Sequence, residues 1–283
     1  MKNSIVFLIV TLIFLGLNQN AFSQKKGVNH VVIDAGHGGK DPGAIGSFSK
    51  EKDIALAVVL KVRDILKKEA PSLKVTLTRD SDFFVELKGR HAIANTAGGD
   101  LFVSVHINST AGTSYTVQSG TRRVKVGRKY VTKPVYKTVR DRSTKTSGTE
   151  TYVLGLSRND QKEKAIENFE ETVTEEPGLL DEKDPATAII IAQYSQAFLD
   201  RSVSIGSKIQ NNFAGIGRNN LGVKQKSLEV LAGSAMPGVL VEIGFINNEE
   251  EERYMNSESG QNALANAIAQ GIIQYRNEAN NKK

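Results

Sequence analysis

Val31-Val32-Ile33-Asp34-Ala35-Gly36-His37-Gly38-Gly39 is the stretch on which the reading of this chain turns. A short, β-branched apolar run ends abruptly in a glycine-rich loop that holds one histidine. Such a run packs well on a pleated surface and reads as a buried strand. Gly36, Gly38 and Gly39 allow backbone angles that residues with a Cβ resist. The loop therefore fixes His37 at a strand end with one side of its ring open. In open α/β sheets, ligands bind at the carboxyl ends of strands. From this segment alone, His37 reads equally as a functional residue and as a surface histidine on a turn.

Working outward, Asp41-Pro42-Gly43-Ala44 adds turn chemistry. Apolar residues at Ile54, Ala57, Val58, Val62 and Ile65 follow helical spacing, so a helix is expected from Glu51 to Ala70, ended by Pro71. Glu51 falls in its first turn, where the helix dipole by itself would favour a carboxylate. Leu73 to Thr78 alternates as a second strand. A helix from Val85 to Ala97 is expected to turn Leu87, Ile93, Ala94 and Ala97 inward. Leu101 to Asn108 is almost continuously apolar and reads as a central strand, with His106 near its carboxyl end. Two strand-end histidines on parallel strands emerge at one edge of a sheet, which raises His37 above the surface-turn reading. His30 opens the first strand at its other end, and His91 sits on a helix beside Arg90. Neither is expected to share a site with His37.

Further along, Gly148 to Leu156 reads as a strand, Pro185 to Phe213 as a long amphipathic helix, and Leu228 to Leu231 as a short strand. Pro237-Gly238-Val239-Leu240-Val241-Glu242-Ile243-Gly244-Phe245 is a core-type strand with one carboxylate in it. A carboxylate is almost never buried without a partner, so Glu242 calls for a cation, a metal-bound water or a set of hydrogen bonds. A last helix, Gln261 to Tyr275, closes the domain before a polar tail at 277–283.

Two stretches look inserted. Residues 110–147 combine loosely alternating valines with ten cationic side chains opposed only by Asp141. They read as a projecting basic β-hairpin, either a solvated arm or a contact for an acidic partner or polymer. Residues 160–184 are acidic and broken by Pro177-Gly178 and Asp184-Pro185, which suits either a solvated linker or a regulatory segment.

Composition narrows the chemistry. The 283 residues are enough for one main domain with a sizeable core. The chain has no cysteine, which excludes disulfides, thiolate metal sites and a cysteine nucleophile. Any metal must be held by His, Asp or Glu, and there are only four histidines. The net charge of +6 suits an anionic surface or polymer, although no nucleic-acid-binding module is recognisable. Residues 1–23 have the basic start, apolar run and small-residue Ala21-Phe22-Ser23 end of a signal peptide. The run is shorter than the roughly 20 residues that span a bilayer. Export to a periplasm or beyond, with no stable membrane anchor after cleavage, is the expectation; an uncleaved anchor is the alternative.

Two strand-end histidines, a helix-start glutamate and a core-strand glutamate fit a mononuclear zinc hydrolase. Catalytic zinc takes three protein ligands plus water, here His37, Glu51 and His106. Glu242 would take the proton of the water and pass it to the leaving nitrogen. These residues are far apart in sequence, and no short zincin helix motif is present.

Ile33 to Gly39, then Glu51, then Ser104-Val105-His106-Ile107-Asn108-Ser109, then Val241 to Phe245 resemble the zinc-dependent N-acetylmuramoyl-L-alanine amidases. The resemblance covers residues 28–276, read as the catalytic domain, and its motifs stand in the family's order. It implies an α/β fold, a mixed and mostly parallel six-stranded twisted sheet flanked by helices. It implies cleavage of the amide between N-acetylmuramic acid and L-alanine in peptidoglycan, with Zn2+ on His37, Glu51 and His106 and Glu242 as the catalytic glutamate. Some members block their metal with a glutamate on an inserted helix that an activator protein releases, and 160–184 lies in a comparable place. Two other readings stand beside it: a catalytically silent peptidoglycan-binding or regulatory member, and a zinc peptidase acting within the stem peptide.

Overall fold

A computed structural model describes residues 27–173 and 185–281. The signal-peptide reading of 1–23, the 174–184 part of the acidic segment and the last two residues lie outside that range. The elements, in order, are β1 (His30–Ala35), α1 (Glu51–Glu69), β2 (Lys74–Leu77), α2 (Leu87–Thr96) and β3 (Leu101–Asn108). Then come the hairpin β4 (Thr113–Val126) and β5 (Lys129–Asp141), β6 (Thr149–Leu154), α3 (Asn159–Val173) and α4 (Pro185–Gly215). The chain ends with β7 (Asn220–Lys226), α5 (Glu229–Ala232), β8 (Gly238–Phe245), α6 (Glu249–Asn256) and α7 (Glu258–Asn281).

The main sheet has six strands in the order β2-β1-β3-β8-β6-β7. All neighbours run parallel except β6 and β8, which are antiparallel. Parallel strands are covered on both faces, which is why β1, β3 and β8 read as nearly unbroken apolar runs. Side chains alternate across them. Val31, Ile33, Val103, Val105, Val239 and Val241 enter one core, packed on α1, α4 and α7. Val32, Phe102 and Leu240 enter a second, closed by Ala94 of α2 and by α5. Burying each such side chain contributes about 1.5–3 kcal/mol before chain entropy is counted. The same alternation puts Asp34, Ser104, His106 and Glu242 on the second face, at the carboxyl ends of the strands.

Several expectations are corrected. Leu228 to Leu231 is not a strand. Val230, Leu231 and Ala232 are buried on the single helical turn α5, and the strand lies earlier, at Asn220–Lys226. β7 is a sheet edge, so it tolerates a polar sequence that masks its signal. Leu87 does not turn inward but is 50% exposed. The inward place on α2 belongs to Arg90, whose ion pair with buried Asp34 outweighs the hydrophobic pattern. The last helix runs through Asn281, and 277–281 belong to it rather than to a tail. There the Asn280 side chain accepts a hydrogen bond from the Val28 amide at 2.8 Å.

Residues 113–141 do form a hairpin, a separate two-stranded sheet. Its tip is the two-residue loop Gly127-Arg128, where Gly127 takes φ +61°. A positive φ at the first loop position suits a tight hairpin turn and favours glycine. Among the described residues, no helix is long and apolar enough to cross a membrane.

Candidate active site

His37 follows β1 directly and has φ +58°, the left-handed region that residues with a Cβ rarely adopt. Two buried arginines hold the loop in this shape. Arg79 donates to the carbonyls of Ala35 (2.9 Å) and Gly36 (2.7 Å). Arg90 donates to Ala35 O and His37 O, both at 2.6 Å, and pairs with Asp34 at 2.7 Å. Thr78 and Ser104 hydroxyls donate to the same Asp34 carboxylate, each at 2.6 Å. Burial alone would raise the Asp34 pKa. The Arg90 guanidinium, with smaller help from His106 and the hydroxyls, holds it below the usual carboxylate range.

Glu51, the first residue of α1, is buried between the two histidines. Its Oε1 accepts from His106 Nδ1 at 2.8 Å and from the Ile107 amide at 2.9 Å. Its Oε2 accepts from the Ala44 amide at 2.8 Å and lies 3.1 Å from His37 Nε2. Burial works against the charged carboxylate, but hydrogen bonds from His106 and His37 prevail and drive its pKa far below the usual range. On His37, burial lowers the pKa, yet Glu51 and then Asp41 outweigh it and lift it to about 8. The ring centroids of His37 and His106 are 4.9 Å apart, nearly edge to face.

The three side chains offer ligand atoms that all lie within 4.8 Å of one another. Among the described residues, no other His, Asp or Glu joins that group. Two imidazoles and one carboxylate make a donor set suited to zinc. The backbone around them leaves little room. A Cβ on Gly36 would meet His106 at 2.4 Å, and one on Gly43 would meet His37 at 2.5 Å and Glu51 at 2.6 Å.

Glu242 stands opposite His106 in the register of β3 and β8. Its Oε2 is buried and has no hydrogen-bond partner. Burial pushes its pKa up to about 7, with the negative charge of Glu51 adding to the rise and His106 opposing it. On its other flank, Glu150 of β6 faces it across the antiparallel pair. Glu150 is satisfied by Lys224, by Asn108 and by the Tyr152 hydroxyl at 2.7 Å.

The fold therefore brings His37, Glu51 and His106 together and places Glu242 on the neighbouring strand. His30 lies at the far end of β1, its Nε2 2.9 Å from Thr76 Oγ1, and His91 packs against Gly233. The sequence reading missed Asp41, whose Oδ2 meets His37 Nδ1 at 2.7 Å. An acid four residues after the loop histidine was the available signal. It also missed Arg79, Arg90 and Glu150, whose roles depend on contacts 40 or more residues away in the chain.

Known proteins resemble the chain over nearly all of this fold. The family described as N-acetylmuramoyl-L-alanine amidase matches residues 31–274. The chain is 29% identical over 260 residues to the N-acetylmuramoyl-L-alanine amidase AmiA of Escherichia coli, covering 89% of this chain and 78% of that one. It is 32% identical over 247 residues to the endolysin of Bacillus phage SPP1, covering 87% of this chain and 66% of that one. Among solved structures, the catalytic domain of CwlV from Paenibacillus polymyxa superposes with a TM-score of 0.56 at 29% identity, covering 87% of this chain and 97% of that one. The CwlD amidase of Clostridioides difficile shares the fold, with a TM-score of 0.57 at 23% identity over 87% of this chain and 98% of that one.

These likenesses define a bacterial cell-wall hydrolase. More narrowly, the chain belongs to the N-acetylmuramoyl-L-alanine amidase family. It is an amidohydrolase of the bond between N-acetylmuramic acid and L-alanine in peptidoglycan.

Proposed function

We propose that His37, Glu51 and His106 hold a zinc ion and that Glu242 is the general base and acid of the amidase. The observation that carries this reading is the unpartnered Glu242 Oε2, buried on the strand beside a three-residue donor group. An uncompensated buried carboxyl oxygen costs free energy unless the site gives it a partner during function. Bound zinc would polarise the scissile carbonyl and supply water with a pKa near about 7. Asp41 would orient the His37 ring, and the Ile107 and Ala44 amides would keep Glu51 ionised and fixed. Glu242 takes the proton of the attacking water at Oε2. The new C–O bond forms, the C–N bond breaks, and Glu242 returns the proton to the departing L-alanine nitrogen.

Export to the periplasm or cell wall belongs to the same proposal, supported by the leader-like residues 1–23 and by the substrate. So does a resting block by the acidic segment 160–184, relieved by an activator protein. Its support is the carboxylate density of the segment, together with the fold-level likeness to CwlD, whose structure is in complex with the GerS lipoprotein. Deleting 160–184 should then raise activity without a partner; unchanged activity would remove the block.

Metal analysis and product masses test the central claim. The mature protein should carry one zinc and release peptides with a free L-alanine amino terminus from peptidoglycan. Products cut inside the stem peptide would make it a peptidase, and metal-loaded protein with no product at all would make it a silent wall-binding member.

A further inference from the structure

The hairpin β4–β5 takes no part in the machinery described so far. Its strands are 14 and 13 residues long, roughly 40 Å of arm at the usual rise per residue. Its root is pinned to the active-site edge of the sheet. β4 starts just after Asn108, the last residue of β3, and Asn247, just after β8, holds the root. The Asn247 side chain donates to Thr110 Oγ1 at 3.0 Å and accepts from the Thr110 amide at 3.1 Å. Its carbonyl accepts from the Thr144 amide at 3.0 Å. The arm thus springs from the end of β3, which carries His106, and is tied to the chain just beyond β8, which carries Glu242.

Register sorts the two faces of the arm. Directly paired residues share a face, and a bulge between Gln118 and Gly120 shifts the alternation of β4 by one. One face then collects Val117, Val124, Val126, Val131, Val135 and Val139, of which four are half-buried, between the exposed side chains of Tyr115, Arg122, Lys129, Lys133 and Lys137. Val124 and Val131 pair directly. A two-stranded sheet needs such cross-strand packing, so this face accounts for the arm's own cohesion. The opposite face carries Arg123, Lys125 and Arg140 among threonines, with Tyr130 and Tyr136 61% and 59% exposed. Arg123 lies 5.3 Å from the Tyr130 ring, and Lys125 pairs with Tyr130 across the strands.

We infer that the Tyr130–Tyr136 face of the hairpin is a peptidoglycan-binding arm that holds a glycan strand with its anionic stem peptides beside the catalytic edge. This rests on the amidase reading. Peptidoglycan combines sugar rings, whose apolar C–H faces stack on aromatic side chains, with peptide carboxylates that pair with Arg and Lys. The Tyr130–Tyr136 face offers both, with Arg123, Lys125 and Arg140 of the ten cations that residues 110–147 hold against one acid. The charged tip Arg128-Lys129 argues against insertion of the arm into a bilayer. The like charges argue against packing on a second copy.

The test uses full-length mature protein carrying Glu242→Gln, so that retention is measured without turnover, and purified peptidoglycan sacculi as the probe. Co-sedimentation of this parent is compared with Tyr130→Ala/Tyr136→Ala and Arg123→Gln/Lys125→Gln versions. Each pair should weaken the Kd about tenfold or more. Added salt should weaken the parent more than the charge-deleted version. A third version joins Thr113 to Asp141, which face each other in the register, through Gly-Ser-Gly. It should lose retention even if a point variant fails to fold. Unchanged Kd in all three overturns the inference. So does a loss from the charge pair alone with the tyrosines neutral, the outcome expected of an acidic protein or any polyanion. Failure of the amidase reading shows separately, as no product from wild-type protein whose sedimentation is intact.

Discussion

At the scale of single residues, the carboxyl groups of Asp41 and Glu242 carry the sharpest consequences. Asp41 fixes the His37 ring through Nδ1, leaving Nε2 towards Glu51. If His37 is a metal ligand as proposed, losing this outer partner lowers metal affinity by about 10–100-fold. Asp41→Asn should show that loss in a competition titration with a chelating dye, with the fold intact; equal affinity would leave Asp41 as turn chemistry only. Glu242 makes a different prediction. Its pKa is raised from about 4.5 in the unfolded chain to about 7 in the folded protein. The folded state therefore holds the proton more tightly, and the benefit is complete below the unfolded value. As pH rises from about 4.5 through about 7, the wild type loses stability on the order of 3 kcal/mol. In chelator, Glu242→Gln should lack that fall, so the two denaturation midpoints should diverge across this window. The same variant should keep zinc while activity drops by about 100-fold or more.

At the scale of elements, the loop after β1 depends on partners from three others. Arg79 follows β2, Arg90 lies on α2, and Ser104 lies on β3. Together they hold a non-glycine residue at positive φ, a strain of about 1–3 kcal/mol that persists only when the surroundings enforce it. Arg90→Met removes the counter-charge of fully buried Asp34. An uncompensated buried charge costs about 3–5 kcal/mol. The expected result is a large drop in the urea midpoint, together with loss of activity as His37 leaves its position. A drop without loss of metal binding would show that Arg90 stabilises the fold but not the site. The strands β1, β3 and β8 and the helix α1 were legible because burial on both faces, or on one stripe, leaves a periodic apolar pattern. β7 and α5 were not. An exposed edge strand needs no apolar pattern, and one buried helical turn is too short to show its period. Leu87, expected inward, is exposed, and Arg90 takes the inward place because a buried ion pair overrode the hydrophobic spacing.

At the scale of the whole molecule, the site joins elements distant in the chain, so metal should couple to global stability. A ligand bound only by the folded state stabilises it by RT ln(1 + [L]/Kd), about 4 kcal/mol at a thousandfold excess over Kd. Chelation should lower the Tm by several degrees, and added zinc should restore it. The His106→Ala protein should melt at one temperature with or without chelator. An unchanged wild-type Tm on chelation would count against a metal at this place.

The residues alone determined the parallel core and the edge of the sheet where chemistry could sit, and they singled out the four side chains that the fold gathers at that edge. Apolar periodicity and a glycine-bounded histidine are local signals, written in neighbouring positions. Only the tertiary structure decided that Asp41, Arg79 and Arg90 hold His37, that Glu150 faces Glu242, and which face of the basic hairpin is left open. Those facts depend on pairing register and on contacts between distant segments, and one shifted residue in a strand would reverse every face.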